Sequence, residues 1–340
     1  MIIERLPLGD PSWREFVLAQ RGATPFHLPE WAQVLADCYR FEPFALVARE
    51  RDGEVVAGLP VIAVRSLSGR RRWVSLPFSD SCPLLTQDPA REVEVAEALA
   101  DHALGSGAIG LEVRACLPAG AHTFPVEVGY EYLMDLPGDA ATLHPSKGHR
   151  QNRNRAERAG VEIHRGSGPE DVAAFYRLHA LTRRRQGIPV QPRRFFDLIG
   201  ERLLTQGKGF VSTARIDGDV VASGLFLTHG RTIVAKFRAS DPARSDTGAG
   251  FLVDWEAISV ACGEGYTMLD LGRTDWDEEG QRRYKSGWGA VERPLIYTHL
   301  SQKAPDAGRP SVGGLPRRII RNSPLWVTRA LGAALYRWTA

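Results

Sequence analysis

The sequence predicts an α/β protein of the α+β type, because segments with helical and with strand periodicity alternate along its 340 residues in two successive blocks. A chain of this length has room for two domains of ordinary size. The turn-forming run Pro137-Gly138-Asp139 separates the blocks. We therefore predict domains at 1–138 and 139–302, followed by a flexible linker and a basic amphipathic C-terminal helix at 303–340.

The first block opens with helices and continues into strands. Apolar residues recur at helical spacing in the helical segments, and short β-rich runs bounded by turn residues mark the strands. The run Arg51-Asp52-Gly53 is a hairpin turn between two of these strands. The predicted helices are 12–20, 29–39 and 89–104, and the predicted strands are 43–49, 55–64, 72–76, 109–114 and 130–136.

The second block begins with a basic helix and a short strand at 161–164. Two further helices follow, and the first carries an apolar side that includes Val172, Phe175 and Leu178. Turns at Asp217-Gly218-Asp219 and His229-Gly230 then divide three strands. The predicted order is helices 170–185 and 192–204, strands 209–216, 220–227 and 232–238, a helix within 248–265 and a strand at 267–271.

Composition predicts a protein that stays in the cytoplasm. No window approaches the ~20 apolar residues of a spanning helix, and the N-terminal residues lack the charged-then-apolar order of a signal peptide. The four cysteines are far apart and have no histidine at ligand spacing, so we predict neither a metal site nor a disulfide framework. The formal net charge of +3 is too small to indicate a polyanionic partner by itself.

A candidate site follows the strand at 267–271, because open α/β sheets bind ligands at the carboxyl ends of strands. A lysine placed beside a reacting carbonyl can stabilise the negative charge that develops on its oxygen. In the alternative interpretation Lys285 is a solvated loop residue, Trp288 belongs to the core and the acids form a polar turn. The candidate residues are Asp270, Arg273, Asp275, Tyr284, Lys285 and Trp288.

Three segments resemble the FemAB-like transferases of the GNAT acyltransferase superfamily. The first is His149–Val161, and the second is Gly248–Gly265. The third combines Leu269–Arg273, Tyr284-Lys285, Trp288-Gly289 and Pro294–Tyr297. The tail after Leu315 is similar to that of FemAB-like proteins found with exopolysaccharide and exosortase systems. The resemblance covers roughly residues 147–300, in matching order and spacing.

This resemblance implies tandem GNAT-like domains, each a mixed, mostly antiparallel sheet flanked by helices. It also implies an amide-forming transferase with aminoacyl-tRNA as the favoured co-substrate and no tightly bound cofactor. The acceptor is then an amino group of a small-molecule or lipid-linked precursor of the cell envelope, peptidoglycan or polysaccharide. Lys285 takes the family's transition-state role, with Asp270 and Asp275 as candidates for the general base.

Two other functions remain open from the sequence. An acyl-CoA-dependent GNAT N-acyltransferase would bind the donor phosphates through Arg244, Gly248 and Gly250. This stretch is a near miss of the superfamily's phosphate turn, since Ser245 stands three residues before Gly248 and Asp246 adds a negative charge. The second is a non-catalytic module that binds RNA or a membrane, against which the intact Tyr284-Lys285 pair argues.

Basic residues extend the candidate site. Arg150 and Arg153 lie on one face of the first basic helix, which is a candidate surface for tRNA or a diphosphate-linked acceptor. Lys236 and Arg238 share one face of a strand, which we expect to line the cleft. The tail at 315–340 is rich in arginine and interleaved with apolar residues. It fits either peripheral contact with the inner membrane face or packing on the first domain.

Overall fold

The computed structural model describes residues 1–65, 71–305 and 317–336. These residues form two compact units. Unit 1 is Met1–Tyr130 with 294–305 and Tyr336, and unit 2 is Glu131–Arg293 with 317–335. The domain ranges predicted from the sequence stay a prediction. The parts of the predicted linker and tail at 306–316 and 337–340 lie outside the described residues.

Unit 1 combines a mixed sheet with helices. Its sheet order is β1-β2-β3-β4-β6-β13, and β5 pairs with β3. All pairings of β1 through β4 are antiparallel, whereas β4 and β6 are parallel. The elements are β1 (Ile2–Leu6), α1 (Pro11–Ala19), α2 (Pro29–Tyr39), β2 (Glu42–Arg49), β3 (Val55–Arg65), β4 (Arg71–Val74), β5 (Leu85–Thr86), α3 (Glu92–Gly105) and β6 (Leu111–Val113). Strands β7 (Thr123–Asp135) and β13 (Val291–Leu300) carry the chain between the units.

The apolar faces of these elements form the core of unit 1. Trp13 on α1 and Trp31 on α2 are fully buried. Leu46 on β2 and Leu59 on β3 belong to a buried cluster with Leu99 on α3. Burial of such side chains contributes about 1.5–3 kcal/mol each, so this unit has an ordinary hydrophobic core of its own.

Unit 2 carries the segments that the sequence singled out. Its sheet order is β7-β12-β11-β10-β9-β8. Strands β8 to β11 are antiparallel neighbours, and β12 runs parallel to β11. The elements are α4 (Lys147–Arg158), β8 (Glu162–Gly166), α5 (Pro169–Gln186), α6 (Arg193–Arg202), β9 (Gly209–Ile216), β10 (Asp219–His229), β11 (Thr232–Ser240), α7 (Ala249–Gly263), β12 (Met268–Thr274), α8 (Glu279–Ser286), α9 (Arg317–Asn322) and α10 (Leu325–Leu335).

Helices cover both faces of the unit 2 sheet. Phe237 on β11 packs against Phe175 of α5 and Phe196 of α6. Its neighbour Arg238 bonds instead to the carbonyl of Gly250 on α7. Because successive side chains of a strand point to opposite faces, α5 and α6 lie on one face and α7 on the other.

The C-terminal helices pack against α5. Pro324 separates α9 from α10, since proline lacks the amide hydrogen that a continuous helix requires. Gly332 lies so close to the next layer that an added Cβ would be 1.7 Å from the Val190 carbonyl oxygen. The Val190 amide donates to the Thr328 carbonyl at 3.2 Å, so α10 is seated by backbone contacts.

The predicted fold class is confirmed, because a mixed, mostly antiparallel sheet is flanked by helices. The elements that were not predicted include β1, β5 and α8. Strands β1 and β5 are short, and α8 occupies a stretch that was predicted to be part of a polar loop. Among the helices that the structure describes, none is long and apolar enough to cross a membrane.

Candidate active site

The candidate site lies where β11 and β12 stop pairing. Their parallel register covers only Thr232–Val234 with Met268–Asp270. On its other side β11 pairs with β10, and this pairing contains a bulge. Leu225 of β10 opposes Phe237, whereas the next residue, Phe226, opposes Ala235. Lys236 is therefore the extra residue of the bulge, with its Nζ 5.5 Å from the Phe237 ring centre. Bulges re-aim the residues that follow them, and the next polar side chain is Arg238.

Arg238 is held in a three-residue network. Its Nε lies 2.8 Å from Asp254 Oδ1, and its Nη2 donates to the Tyr284 hydroxyl at 2.6 Å. The Tyr284 hydroxyl in turn donates to Asp254 Oδ2 at 2.7 Å. Arg238 also stacks over the Tyr284 ring at 4.3 Å. The network ties β11, α7 and α8 together and leaves 35% of the Arg238 side chain exposed.

Burial and charge set the protonation of this network. Burial raises the pKa of the Asp254 carboxyl, although the Arg238 charge opposes that effect. Burial also raises the pKa of Tyr284 well above its ordinary value, so the phenol keeps its proton and donates it. For Arg238, burial acts to lower the pKa, but the charges and hydrogen bonds of Asp254 and Tyr284 together outweigh it, and the pKa rises. The guanidinium therefore stays charged, and part of it is exposed to solvent.

His149 on α4 contacts the backbone of Tyr284 and so helps to position the network. Its Nε2 lies 2.8 Å from the Tyr284 carbonyl and its Nδ1 lies 2.8 Å from Ser146 Oγ. Since the carbonyl only accepts, Nε2 carries the hydrogen in this arrangement. Burial lowers the pKa of His149, which favours the neutral ring. The ring also packs edge-on against Phe251 and Trp288.

Gly287 is the residue that lets His149 approach. A Cβ at this position would lie 2.0 Å from His149 Cε1, although the Gly287 backbone is helical and would accept alanine. We expect Gly287→Ala to destabilise the protein by about 1–3 kcal/mol through overpacking. Urea unfolding measures this change. In a His149→Ala background the same substitution should cost little, because the ring that it meets is gone.

Gly280→Ala is the matched control for that test. Gly280 lies on the same helix, α8, and an added Cβ there would meet nothing within 4 Å. The control should therefore be neutral or slightly stabilising. Equal destabilisation by Gly287→Ala with and without the His149 ring would contradict the contact that we describe.

Lys285 is a buried cation at the carboxyl end of β12. Its side chain is nearly inaccessible, with 8% of the residue exposed. The ammonium donates to the carbonyls of Gly272 and Arg273, both at 2.9 Å, and lies 5.2 Å from the Tyr132 ring centre. It is part of helix α8 and not a solvated loop residue. Its predicted role in stabilising an oxyanion stays a prediction.

The acidic candidates lie near the same strand end. Asp270 Oδ1 accepts from the Gly272 amide at 2.7 Å, which stabilises the turn at Gly272, where φ is +73°. Arg273 donates from Nη2 to Asp275 at 2.8 Å, and the Asp275 side chain is 51% exposed. Asp275 is therefore accessible, whereas Asp270 has a local structural function as well.

Aromatic stacking links Arg153 to the centre of the site. Its guanidinium lies 4.5 Å from the Trp255 ring, which stacks on Trp288 at 6.2 Å. Trp288 is 1% exposed, so it supports His149 and Tyr284 from the core. Arg150 is exposed and donates to the Pro145 carbonyl. The two arginines thus have different surroundings, although they lie three positions apart on one helix.

The glycine turn before α7 has a structural explanation. Gly248 has φ +79°, and an added Cβ would lie 2.2 Å from the Asn152 carbonyl oxygen on α4. Both features require glycine without any phosphate ligand. Gly250 gives its carbonyl to Arg238, while Arg244 is exposed in the short turn before Gly248. The structure thus connects Gly250 with the network and keeps Arg244 at the surface.

Sequence reasoning missed two central residues, Asp254 and His149. The available signal for Asp254 was its position, as the one acid within the otherwise apolar run from Phe251 to Trp255 of α7. Both residues are largely buried, at 2% and 7% exposed. Within the described residues, no group of three or more His, Cys, Asp or Glu side chains is arranged to hold a metal ion.

The fold agrees with a known class of transferase domains. Residues 146–286 match the family model of the acetyltransferase (GNAT) domain. This range contains α4, α5, α7 and most of the residues of the candidate site. The second unit therefore contains a segment that matches the GNAT domain model.

Solved structures extend the similarity over most of the chain. The crystal structure of FemX is similar with a TM-score of 0.71 and 14% identity, over 88% of this chain and 98% of that one. The structure of L-PGS from Bacillus licheniformis is similar with a TM-score of 0.58 and 15% identity, over 88% of this chain and 95% of that one. A tandem GNAT protein from the clavulanic acid biosynthesis pathway is similar with a TM-score of 0.52 and 14% identity, over 87% of this chain and 98% of that one. No curated protein has significant sequence similarity to this chain. These matches show that the fold is shared over most of the chain.

Proposed function

We propose that this protein is an amide-forming transferase that moves an aminoacyl group from aminoacyl-tRNA to an amino group of a cell-envelope, peptidoglycan or polysaccharide precursor. The observation that carries the proposal is the network of Arg238, Asp254 and Tyr284, in which a buried acid orients a partly exposed arginine. Lys285 directly follows Tyr284 on α8, and both lie in the segment that matches the GNAT model. The resemblance of the Tyr284-Lys285 segment to FemAB-like transferases supports the same reaction.

The reaction that we propose needs no covalent enzyme intermediate. The acceptor amine attacks the ester carbonyl of the donor, a C–N bond forms, and the carbonyl oxygen becomes an oxyanion. The C–O bond to the ribose then breaks, and the ribose oxygen takes up the proton that the amine releases. Lys285 is proposed to stabilise the oxyanion. Asp275, being 51% exposed, is the more accessible of the two proposed general bases.

The charge of α4 favours a polyanionic donor. Among the described residues, its exposed cations form no ion pair. Arg155 donates to the Asp246 carbonyl and Arg150 to the Pro145 carbonyl, and both keep their net charge. Glu157 is the acid of this helix and lies 3.5 Å from Arg153. Phosphate neutralisation supplies most of the affinity for nucleic acids. These cations are Lys147, Arg150, Arg155 and Arg158.

An acyl-CoA donor is the second candidate, favoured by the GNAT family match. Gly248 is not further support for an acyl-CoA donor, since packing against Asn152 already requires glycine there. A thermal-shift assay separates the donors. We expect a mixed aminoacyl-tRNA pool to raise the melting temperature more than uncharged tRNA does, by mass action, and raised salt to weaken the effect.

Paired variants sharpen this assay. Arg150→Gln with Arg155→Gln removes two exposed charges from α4, and should abolish most of the shift with charged tRNA. Arg51→Gln with Arg231→Gln removes two exposed charges elsewhere, and should leave the shift nearly unchanged. Stabilisation by an acyl-CoA that persists at raised salt, without any response to charged tRNA, would overturn the proposed donor.

A further inference from the structure

A polar cavity lies in unit 2, apart from the candidate active site. It has a volume of about 800 Å³ and is bordered by α5, α6, β9 and α10. None of the residues of the candidate site lines it. Its polar lining consists of Glu170, Tyr176, Arg177, Arg193, Arg215 and Arg329.

The cavity carries an excess of positive charge. In the described part of the chain, neither Arg177 nor Arg329 forms an ion pair. Arg193 lies 3.4 Å from Asp197, and Arg215 donates to the Gly218 carbonyl, which leaves its charge unbalanced. Glu170 is the one acid among the residues that line the cavity. Clustered guanidinium groups are the preferred partners of phosphate oxygens, because their fork of donors matches the phosphate geometry.

The position of Arg329 is fixed by packing. Its guanidinium lies 5.3 Å from the ring centre of Tyr176, which is 5% exposed. Helix α10, which carries Arg329, is seated on Val190 through Gly332 and through the Thr328 carbonyl. A seated helix loses less conformational entropy on binding a ligand than a free one. The arginine is therefore pre-organised at the rim of the cavity.

An apolar surface adjoins the charged one. Ala173, Pro192 and Ala330 also line the cavity. Trp326 is 71% exposed and precedes Arg329 by three positions, so both lie on the same side of α10. Tryptophan and arginine in this arrangement suit the boundary between lipid head groups and acyl chains.

We propose that this cavity binds the phosphate of an anionic phospholipid head group, with Arg177 and Arg329 as its principal ligands and Trp326 inserted beside the acyl chains. The cavity then gives the C-terminal helices a specific lipid contact. This inference does not depend on the proposed transferase reaction.

The test is co-sedimentation of the full chain with vesicles of equal parts phosphatidylcholine and phosphatidylglycerol, compared with pure phosphatidylcholine. We expect binding to the anionic vesicles only. The double variant Arg177→Gln/Arg329→Gln should weaken partitioning about 25-fold, or about 5-fold per arginine. The charge-matched double variant Arg51→Gln/Arg231→Gln should weaken it less than about 3-fold, since these exposed arginines lie outside the cavity.

Two further variants and two soluble ligands complete the test. Ala330→Glu places an acid at the cavity without removing an arginine, and should weaken vesicle binding even if the double variant fails to fold. Trp326→Ser should weaken vesicle binding while titration calorimetry with glycerol 3-phosphate stays unchanged. Equal weakening by both double variants, or none by either, would overturn the proposal. Binding of glycerol 3-phosphate or inorganic phosphate without vesicle binding would overturn the lipid source.

Discussion

Replacing Lys285 with alanine is expected to lower turnover by about 10²–10³-fold, the cost of removing one donor to a developing oxyanion. The reason is the position of its ammonium, which donates to the carbonyls of Gly272 and Arg273 at the carboxyl end of β12. A cation fixed by two backbone carbonyls is pre-organised, so it needs little rearrangement during the reaction. Single-turnover transfer from labelled aminoacyl-tRNA into an envelope-precursor extract measures the effect.

A structural contribution of Lys285 must be separated from a catalytic one. Alanine leaves two carbonyls without their donor, which is expected to cost about 1–3 kcal/mol of stability for each buried group left unsatisfied. Turnover is therefore compared well below the melting temperature of the variant, at a matched folded fraction. Arg283→Ala removes an exposed cation from the same helix and should retain turnover. If turnover of Lys285→Ala fell only in proportion to its folded fraction, the catalytic role would be wrong.

Elements with a strong apolar pattern could be predicted closely from the sequence. The helix at Pro29–Tyr39 and the strand at Gly209–Ile216 have the bounds that periodicity and turn residues indicate. Helix α8 could not be found this way, because Lys285 is its one buried residue and it has no apolar stripe. Its stability comes from tertiary contacts that periodicity does not encode.

Some residues of the candidate site could be predicted from the sequence, and others could not. Arg238 and Tyr284 were both candidates, but their contact joins positions 46 residues apart along the chain. Asp254 and His149 enter the site only because α4 and α7 pack together, with the Asn152 carbonyl against Gly248. Sequence motifs therefore identified the strand ends, while the partners that orient the side chains depended on helix packing.

The buried carboxylate of Asp254 fixes the orientation of the Arg238 guanidinium. An arginine on a strand edge would sample many rotamers, and ordering its side chain costs up to about 2 kcal/mol of entropy. In unit 2, Asp254 fixes the Nε edge of Arg238, and the Tyr284 hydroxyl fixes Nη2. The remaining exposed part of the guanidinium is then presented in one orientation. This arrangement suits recognition of an anionic or carbonyl group of a substrate.

Acid is expected to destabilise the protein strongly through His179, a buried imidazole on α5. The ring is 2% exposed, packs against Phe175, Phe196 and Phe237, and contacts Gln191 Oε1 through Nε2 at 2.8 Å. Burial, with a smaller effect from the charge of Arg183, lowers the pKa of His179 to about 3. In the unfolded chain the pKa of a histidine is about 6.5.

Between these two pKa values the unfolded chain binds one more proton at His179 than the folded protein does. The free energy of unfolding is therefore fully retained above about pH 6.5. It falls by about 1.4 kcal/mol for each pH unit below that, or about 5 kcal/mol in all. Urea unfolding at about pH 6.5 and about pH 4.5 should differ by about 2 kcal/mol from this residue alone.

The variant His179→Phe/Gln191→Leu isolates this contribution, because it removes the titrating ring together with its amide partner. Replacing both partners by apolar groups of similar shape is nearly neutral for stability in favourable cases. His102, His149 and His299 also have lowered pKa values, and they remain in the variant. The difference between the two pH profiles therefore reports His179. Parallel profiles would mean that the folded protein protonates His179 as readily as the unfolded chain, which requires water to reach the aromatic cluster.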